Sequence, residues 1–142
     1  MLEALSISLN KAAVLGFVLY ILGAAVLFAL FQFIYTRITP HKEFELSRAG
    51  NTSAAVALGG AIVGFAIPAS NVIAYSINVL DFIVWAVIAA VVQLLAFLLT
   101  SLVLKGTSER IKKGELAAGI YVDAVAISGG MLNAACMTPT SN

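Results

Sequence analysis

Charge is what this sequence has least of. Only 11% of its 142 residues are Asp, Glu, Lys or Arg, where a soluble domain carries about 25%, and the mean hydropathy is +1.03. So few charges cannot clothe a globule in a solvated surface, and lipid is the solvent this composition suits. Eight basic residues against seven acidic ones leave no basic face for a polyanion, so nucleic acid is not an expected partner. The single cysteine, Cys136, cannot close an intrachain disulfide, and with His41 the only histidine there is no set of thiolate and imidazole ligands for a metal. A glycine-rich phosphate loop with its lysine is missing, as is any recognisable spacing of nucleophile, base and orienting acid. No cofactor and no catalysis are therefore expected.

What the chain does have is long apolar runs. About 20 helical residues cross a hydrocarbon core of about 30 Å. Three stretches meet that length: between Lys11 and Arg37, from Thr52 to Tyr75, and from Asp81 to Leu104. A fourth, from Glu115 to Met137, meets it except for Asp123. The first run is unbroken from Ala12 to Thr36, longer than the apolar part of a signal peptide, and reads as a retained membrane helix. Continuous apolarity is the opposite of the alternation a membrane barrel needs. The expected fold is all-α, a polytopic membrane protein with four transmembrane helices.

Seven of the eight basic residues fall in two connections: Arg37, Lys42 and Arg48 in the first, and Lys105, Arg110, Lys112 and Lys113 in the second. With four spans both connections share one side, which the positive-inside rule assigns to the cytoplasm. A multi-pass membrane protein with both termini outside the cytoplasm follows. The acidic neighbours Glu43, Glu45, Glu109 and Glu115 suit these connections to anchoring topology better than to binding anionic lipid.

Setting Gly50 over Gly114, an offset of 64, aligns "RAGNTSAAVALGGA" with "KKGELAAGIYVDAV". Each half is then an apolar span, a charged connection, a glycine and a span rich in small residues. Two crossings per unit give both units the same orientation, so the expected architecture is two parallel two-helix repeats, 1–75 and 76–142, about an axis along the membrane normal.

The faces of the second and fourth spans are lined by small residues. Gly60 and Gly64 form a GxxxG pair, with Gly59 beside them and Pro68 one turn on. Gly119, Asp123, Ala126 and Gly130 share one face of the fourth span. Close approach at small residues is what associates helices in lipid, so these five glycines are candidate packing residues, and a homo-oligomer is expected because the seams exceed what one small bundle needs. Asp123, with Gln93 of the third span as partner, is a candidate intramembrane polar site, read either as a proton or ion site or as a neutral acid bonding across a seam. Asn51 suits a cap of the second span, and Asn78 with Asp81 a cap of the third. Asn71, Asn78 and Asn133 form a candidate outer polar cluster, with local backbone bonding as the alternative.

The segments "KEFEL", "GNTSAAVALGGAIVGFAIP", "DFIVWAVIAAVVQLLAFLL", "GELAAGI" and "GGMLNAACMT" together resemble the YjfL family of uncharacterised bacterial inner-membrane proteins, which consist of a duplicated two-helix domain of unknown function. The resemblance runs from about Ala13 to Thr138 and implies four spans in the bacterial inner membrane, which puts both termini in the periplasm. It also implies a place beside membrane-stress systems of the phage-shock kind. The function expected is a noncatalytic inner-membrane protein supporting envelope integrity through lipids or a membrane-stress protein partner. The alternative is a small channel or transporter using Asp123 and Gln93.

Overall fold

A computed structural model describes residues 10–40 and 42–137. Among these residues are four long helices, each apolar enough to cross a membrane, and two short ones, one between the first and second long helices and one between the third and fourth. They are α1 (Lys11–Ile38), α2 (Glu43–Arg48), α3 (Thr52–Tyr75), α4 (Val79–Val103), α5 (Thr107–Lys112) and α6 (Leu116–Cys136).

The helices start where short polar side chains can hold free amides. Asn10 caps α1 by accepting from Ala13 N at 2.8 Å, and Asn51 caps α3 by accepting from Ala54 N at 3.0 Å. At α4 the cap is reciprocal: Asn78 Oδ1 accepts from Asp81 N at 2.9 Å, while Asp81 Oδ2 accepts from Ile77 N at 3.0 Å. Both bonds satisfy amides that have no partner inside the helix.

The duplication is written in the backbone at the same offset of 64. Helices α2 and α5 have six residues each, and α3 and α6 start at Thr52 and Leu116. Before the short helices, Lys42 (φ 32°) and Gly106 (φ 82°) are left-handed. After them, Gly50 (φ 89°) and Gly114 (φ 80°) turn the chain, a conformation that costs a residue with a Cβ. Each turn closes alike, with Asn51 N donating to Leu46 O at 2.9 Å and Glu115 N to Arg110 O at 3.0 Å. The fold is thus two parallel two-helix repeats, each long helix pair joined by a short helix.

Helices α3 and α6 form the centre. Side-by-side neighbours run from Ser53 and Gly119, through Gly60 and Asp123, to Gly64 and Gly130, and end with Asn71 against Ala134. Residue numbers rise together along both helices, so the pair is parallel and in the register of the repeat. Helix α4 packs on α6 and α3, while α1 is peripheral, with only Phe31 and Tyr35 buried. Phe31 stacks on Phe65 of α3 at 4.0 Å, and Tyr20 meets Phe82 of α4 edge-on at 5.6 Å. These rings join the larger core cluster with Leu58, Ala61, Val72, Ala86 and Ala89. A second cluster, Ala54, Ala57, Ile111, Ala118 and Val122, lies at the end of the bundle where α2 and α5 meet it.

Candidate functional site

Small side chains bring the α3 and α6 backbones into contact. A methyl group on Gly60 would lie 2.9 Å from Asp123 Cβ, and one on Gly119 2.8 Å from Ser53 Oγ. A methyl on Gly64 would meet Gln93 Nε2 at 2.5 Å and the Ala126 carbonyl, and one on Gly130 would lie 2.9 Å from Gly64 Cα. The Gly130 position has a particular cause. Pro68 has no N–H, so the carbonyl of Gly64, four residues earlier, loses its intrahelical donor. The atom nearest a methyl on Gly130 is that carbonyl oxygen, so a Cα–H of Gly130 points at it, a weak hydrogen bond of the kind found where helices touch. Gly59 faces open space instead and stands outside this seam.

Amide side chains then stitch the helices together. Gln93 of α4, 3% exposed, donates from Nε2 to Ala126 O of α6 at 2.9 Å. Asn133 of α6 donates to Ala89 O of α4 at 3.2 Å, and Asn71 of α3 to Ala134 O of α6 at 2.9 Å. At the other end Asn51 donates to Ile111 O at 2.8 Å, and Ser53 Oγ to Glu115 O at 2.7 Å. Every one of these acceptors is a main-chain carbonyl, and in lipid each such bond contributes about 0.6 kcal/mol. Asn71 and Asn133 thus join helices and Asn78 caps one; their amides are engaged with backbone and not with each other.

Asp123 and Gln93 are not bonded to each other. Asp123 lies about a third of the way along α6, half-buried against Gly60, and its carboxylate accepts no hydrogen bond among the described residues. The Gln93 amide reaches α6 one turn further on. A different acid is buried: Glu43 is fully inaccessible and accepts from Tyr35 Oη at 3.1 Å through Oε1. Sequence reasoning passed over this pair because Glu43 sits in a charged connection. The available signal was the spacing of Glu43 and Leu46, three apart on one face of α2, with Leu46 packed against the second core cluster.

The two charged connections lie together, as the Asn51 bonds to Ile111 O and Lys112 O require. Three of their cations are paired: Lys42 with Glu45 at 3.2 Å, Arg110 with Glu115 at 2.6 Å and Lys112 with Glu109 at 2.8 Å. The Lys112 ammonium, by hydrogen bond and then by charge, holds the exposed Glu109 carboxyl below its ordinary value. Arg37 has no carboxylate partner among the described residues and lies over the Phe33 ring at 4.8 Å. A groove beside it is lined by Gln32, Phe33, Thr36, Lys42, Phe44 and Glu45. The described residues hold no cluster of ligating side chains for a metal.

A duplicated four-helix bundle whose polar side chains join helix to helix defines a class, the small polytopic membrane protein built from two parallel repeats. Residues 8–137 match the family model described as Domain of Unknown Function (DUF350), and the chain belongs to that family. It is 37% identical over 126 residues to the inner membrane protein YjfL of Escherichia coli K12, covering 89% of this chain and 96% of that one, and equally to YjfL of Escherichia coli O157:H7. No solved structure matches the chain.

Proposed function

We propose that this chain is a noncatalytic component of the bacterial inner membrane that supports envelope integrity by organising lipid or a membrane-stress protein partner. Its units are residues 1–75 and 76–142, its termini are periplasmic, and its charged connections face the cytoplasm. The observation that carries this reading is the use made of the buried amides. Gln93, Asn71 and Asn133 donate to main-chain carbonyls of neighbouring helices, and the α3–α6 seam is closed by backbone contact. That is the economy of a packed scaffold. The inner-membrane location rests on the similarity to the inner membrane protein YjfL, and the orientation on the positive-inside rule. Lipid contact is supported by the four long apolar helices and by the exposed Phe33 and Phe44 beside Arg37, a pairing of charge and apolar surface suited to the membrane interface.

A homo-oligomer fits the outer edge of the seam. Gly60 and Gly64 are occupied within the bundle, which leaves the outward Gly59 and the half-buried Asp123 for contact with a second copy. Crosslinking with mass spectrometry in native membranes tests the proposal. A reproducible lipid, self or protein partner is expected, and the absence of any, together with selective ion flux in proteoliposomes, would overturn it.

The transport reading keeps one observation in its favour, the carboxylate of Asp123 inside a membrane span with no hydrogen-bond partner among the described residues. Under the scaffold reading Asp123→Asn preserves assembly and Asp123→Leu weakens it. Loss of pH-dependent flux in a folded, inserted Asp123→Asn protein would establish the alternative.

A further inference from the structure

Gln93 is a hydrogen-bonded side chain with one end left over. Its Nε2 donates to Ala126 O, and because a carbonyl can only accept, that bond fixes which end of the amide is which. Its Oε1 is buried and has no hydrogen-bond partner. An orphaned amide oxygen is costly in water-free surroundings, by about 1–3 kcal/mol, and in a membrane interior there is no bulk solvent to relieve it.

That residue lines a small cavity between α1, α3, α4 and α6, together with Phe31, Tyr35, Phe97, Thr100 and Val122. Its volume is about 10 Å³, at the threshold of about 10–15 Å³ for holding one water. The two hydroxyl groups on the wall have no proton to offer. Tyr35 donates to Glu43 Oε1 at 3.1 Å, and Thr100 Oγ1 donates to Ala96 O at 2.8 Å. The polar side chains of the lining are therefore acceptors only, which selects a ligand that donates.

A larger cavity of about 280 Å³ adjoins it at the charged end of the bundle and shares Phe97, Thr100 and Val122. Its other lining residues are Pro40, Ser101, Leu104, Gly106, Thr107 and Ser108, from the connections and the last turn of α4. Gln93 lies ten residues before the end of α4 at Val103, about 15 Å deep at 1.5 Å per residue.

We propose that the Gln93 cavity is a binding site for a single water molecule, which donates a hydrogen bond to Gln93 Oε1 and exchanges with solvent at the charged end through the cavity bounded by Phe97, Thr100 and Val122. The bundle is then hydrated from one side to about the middle of the membrane, and no farther. Beyond Gln93 the Gly64–Gly130 contact closes the seam. The water gives the buried amide its second partner, and it reaches the wall formed by Tyr35, whose hydroxyl is bonded to Glu43. This is independent of the scaffold reading, since a one-sided water site serves a closed bundle as well as it would serve a passage.

Water-edited solid-state NMR on labelled protein in liposomes tests it. Magnetisation from water is expected at the Gln93 side-chain amide, at Ala61 and at Thr100, at a rate within about threefold of that at Thr107 of the larger cavity, with none at Ala89, which is fully buried. Gln93→Met keeps the length of the side chain but has no carbonyl, and should abolish transfer at Ala61, which lines the small cavity and not the larger one, while Thr107 is unchanged. Should that variant fail to fold, Thr100→Val is the second arm: it keeps the shape and widens no gap, and transfer at Gln93 should persist. Normal transfer at Thr107 with none at Gln93 in the native protein would overturn the proposal. So would a shift of the Gln93 carbonyl resonance on replacing sodium with potassium, which would put an ion in the site.

Discussion

Replacing Gly130 by Ala adds one methyl group at the tightest point of the bundle. The added carbon would lie 2.9 Å from Gly64 Cα and closer still to the Gly64 carbonyl oxygen, where carbon atoms in contact sit at about 3.5–4.0 Å. Backbone cannot swing aside as a flexible side chain can, so α6 must withdraw from α3. Overpacking of this kind costs about 1–3 kcal/mol. Withdrawal also strains the bonds that α6 makes on either side, Gln93 to Ala126 O and Asn71 to Ala134 O, at about 0.6 kcal/mol each in lipid. Against this stands the gain of about 1 kcal/mol when Ala replaces Gly in a helix. The net expectation is a loss of about 1–3 kcal/mol. Gly129→Ala is the matched control, one residue away in the same helix with the same helix-propensity gain. Its methyl would meet only the Cβ of Ala96, at 3.3 Å, so it should be neutral or stabilising by up to about 1 kcal/mol. Reversible unfolding in mixed micelles, or steric trapping, measures both, and a difference of 1.4 kcal/mol is tenfold in the equilibrium constant. If Gly130→Ala is as stable as Gly129→Ala, the backbone seam does not hold the repeats together.

Two further outcomes follow from the charged end. Asn51→Ala removes the cap of α3 and the bond to Ile111 O at once, and should cost about 1–2 kcal/mol in the same assay, whereas Thr52→Ala, beside it and exposed, should cost little. Glu109 should titrate below 4.5 in the native protein because Lys112 favours its charged form. A depressed folded-state value stabilises the protein above the unfolded value and loses that contribution as pH falls through the folded one. NMR titration of the Glu109 carboxyl checks this, with Lys112→Ala expected to return it toward 4.5.

Much of the architecture was legible without coordinates because the constraints behind it are local or periodic. Run length against bilayer thickness set the number of spans, and each long helix spans the residues its apolar run predicts, within a few residues. The offset of 64 was readable from one aligned glycine and its flanking charges, since a left-handed turn restricts residue type at that point; Gly50 and Gly114 both adopt it. Caps were equally local. As caps, the side-chain oxygens of Asn51 and Asn78 accept within three residues of their own position, a distance sequence can measure.

Which face of a helix meets which neighbour was decided only by tertiary packing. Gly59 and Gly60 are adjacent in sequence and equally small, yet a rotation of about 100° between consecutive helical residues sends Gly60 into α6 and Gly59 to the outside. The same rotation, together with the depth at which α4 lies against α6, carries the Gln93 amide to Ala126 O instead of Asp123. Burial of Glu43 could not be read from a connection rich in charge, because it depends on Tyr35 arriving from another helix. Composition chose the solvent and periodicity chose the elements. The contacts between elements belong to azimuth and depth, two quantities a linear sequence does not carry, because they are fixed by the partner helix and not by the helix itself.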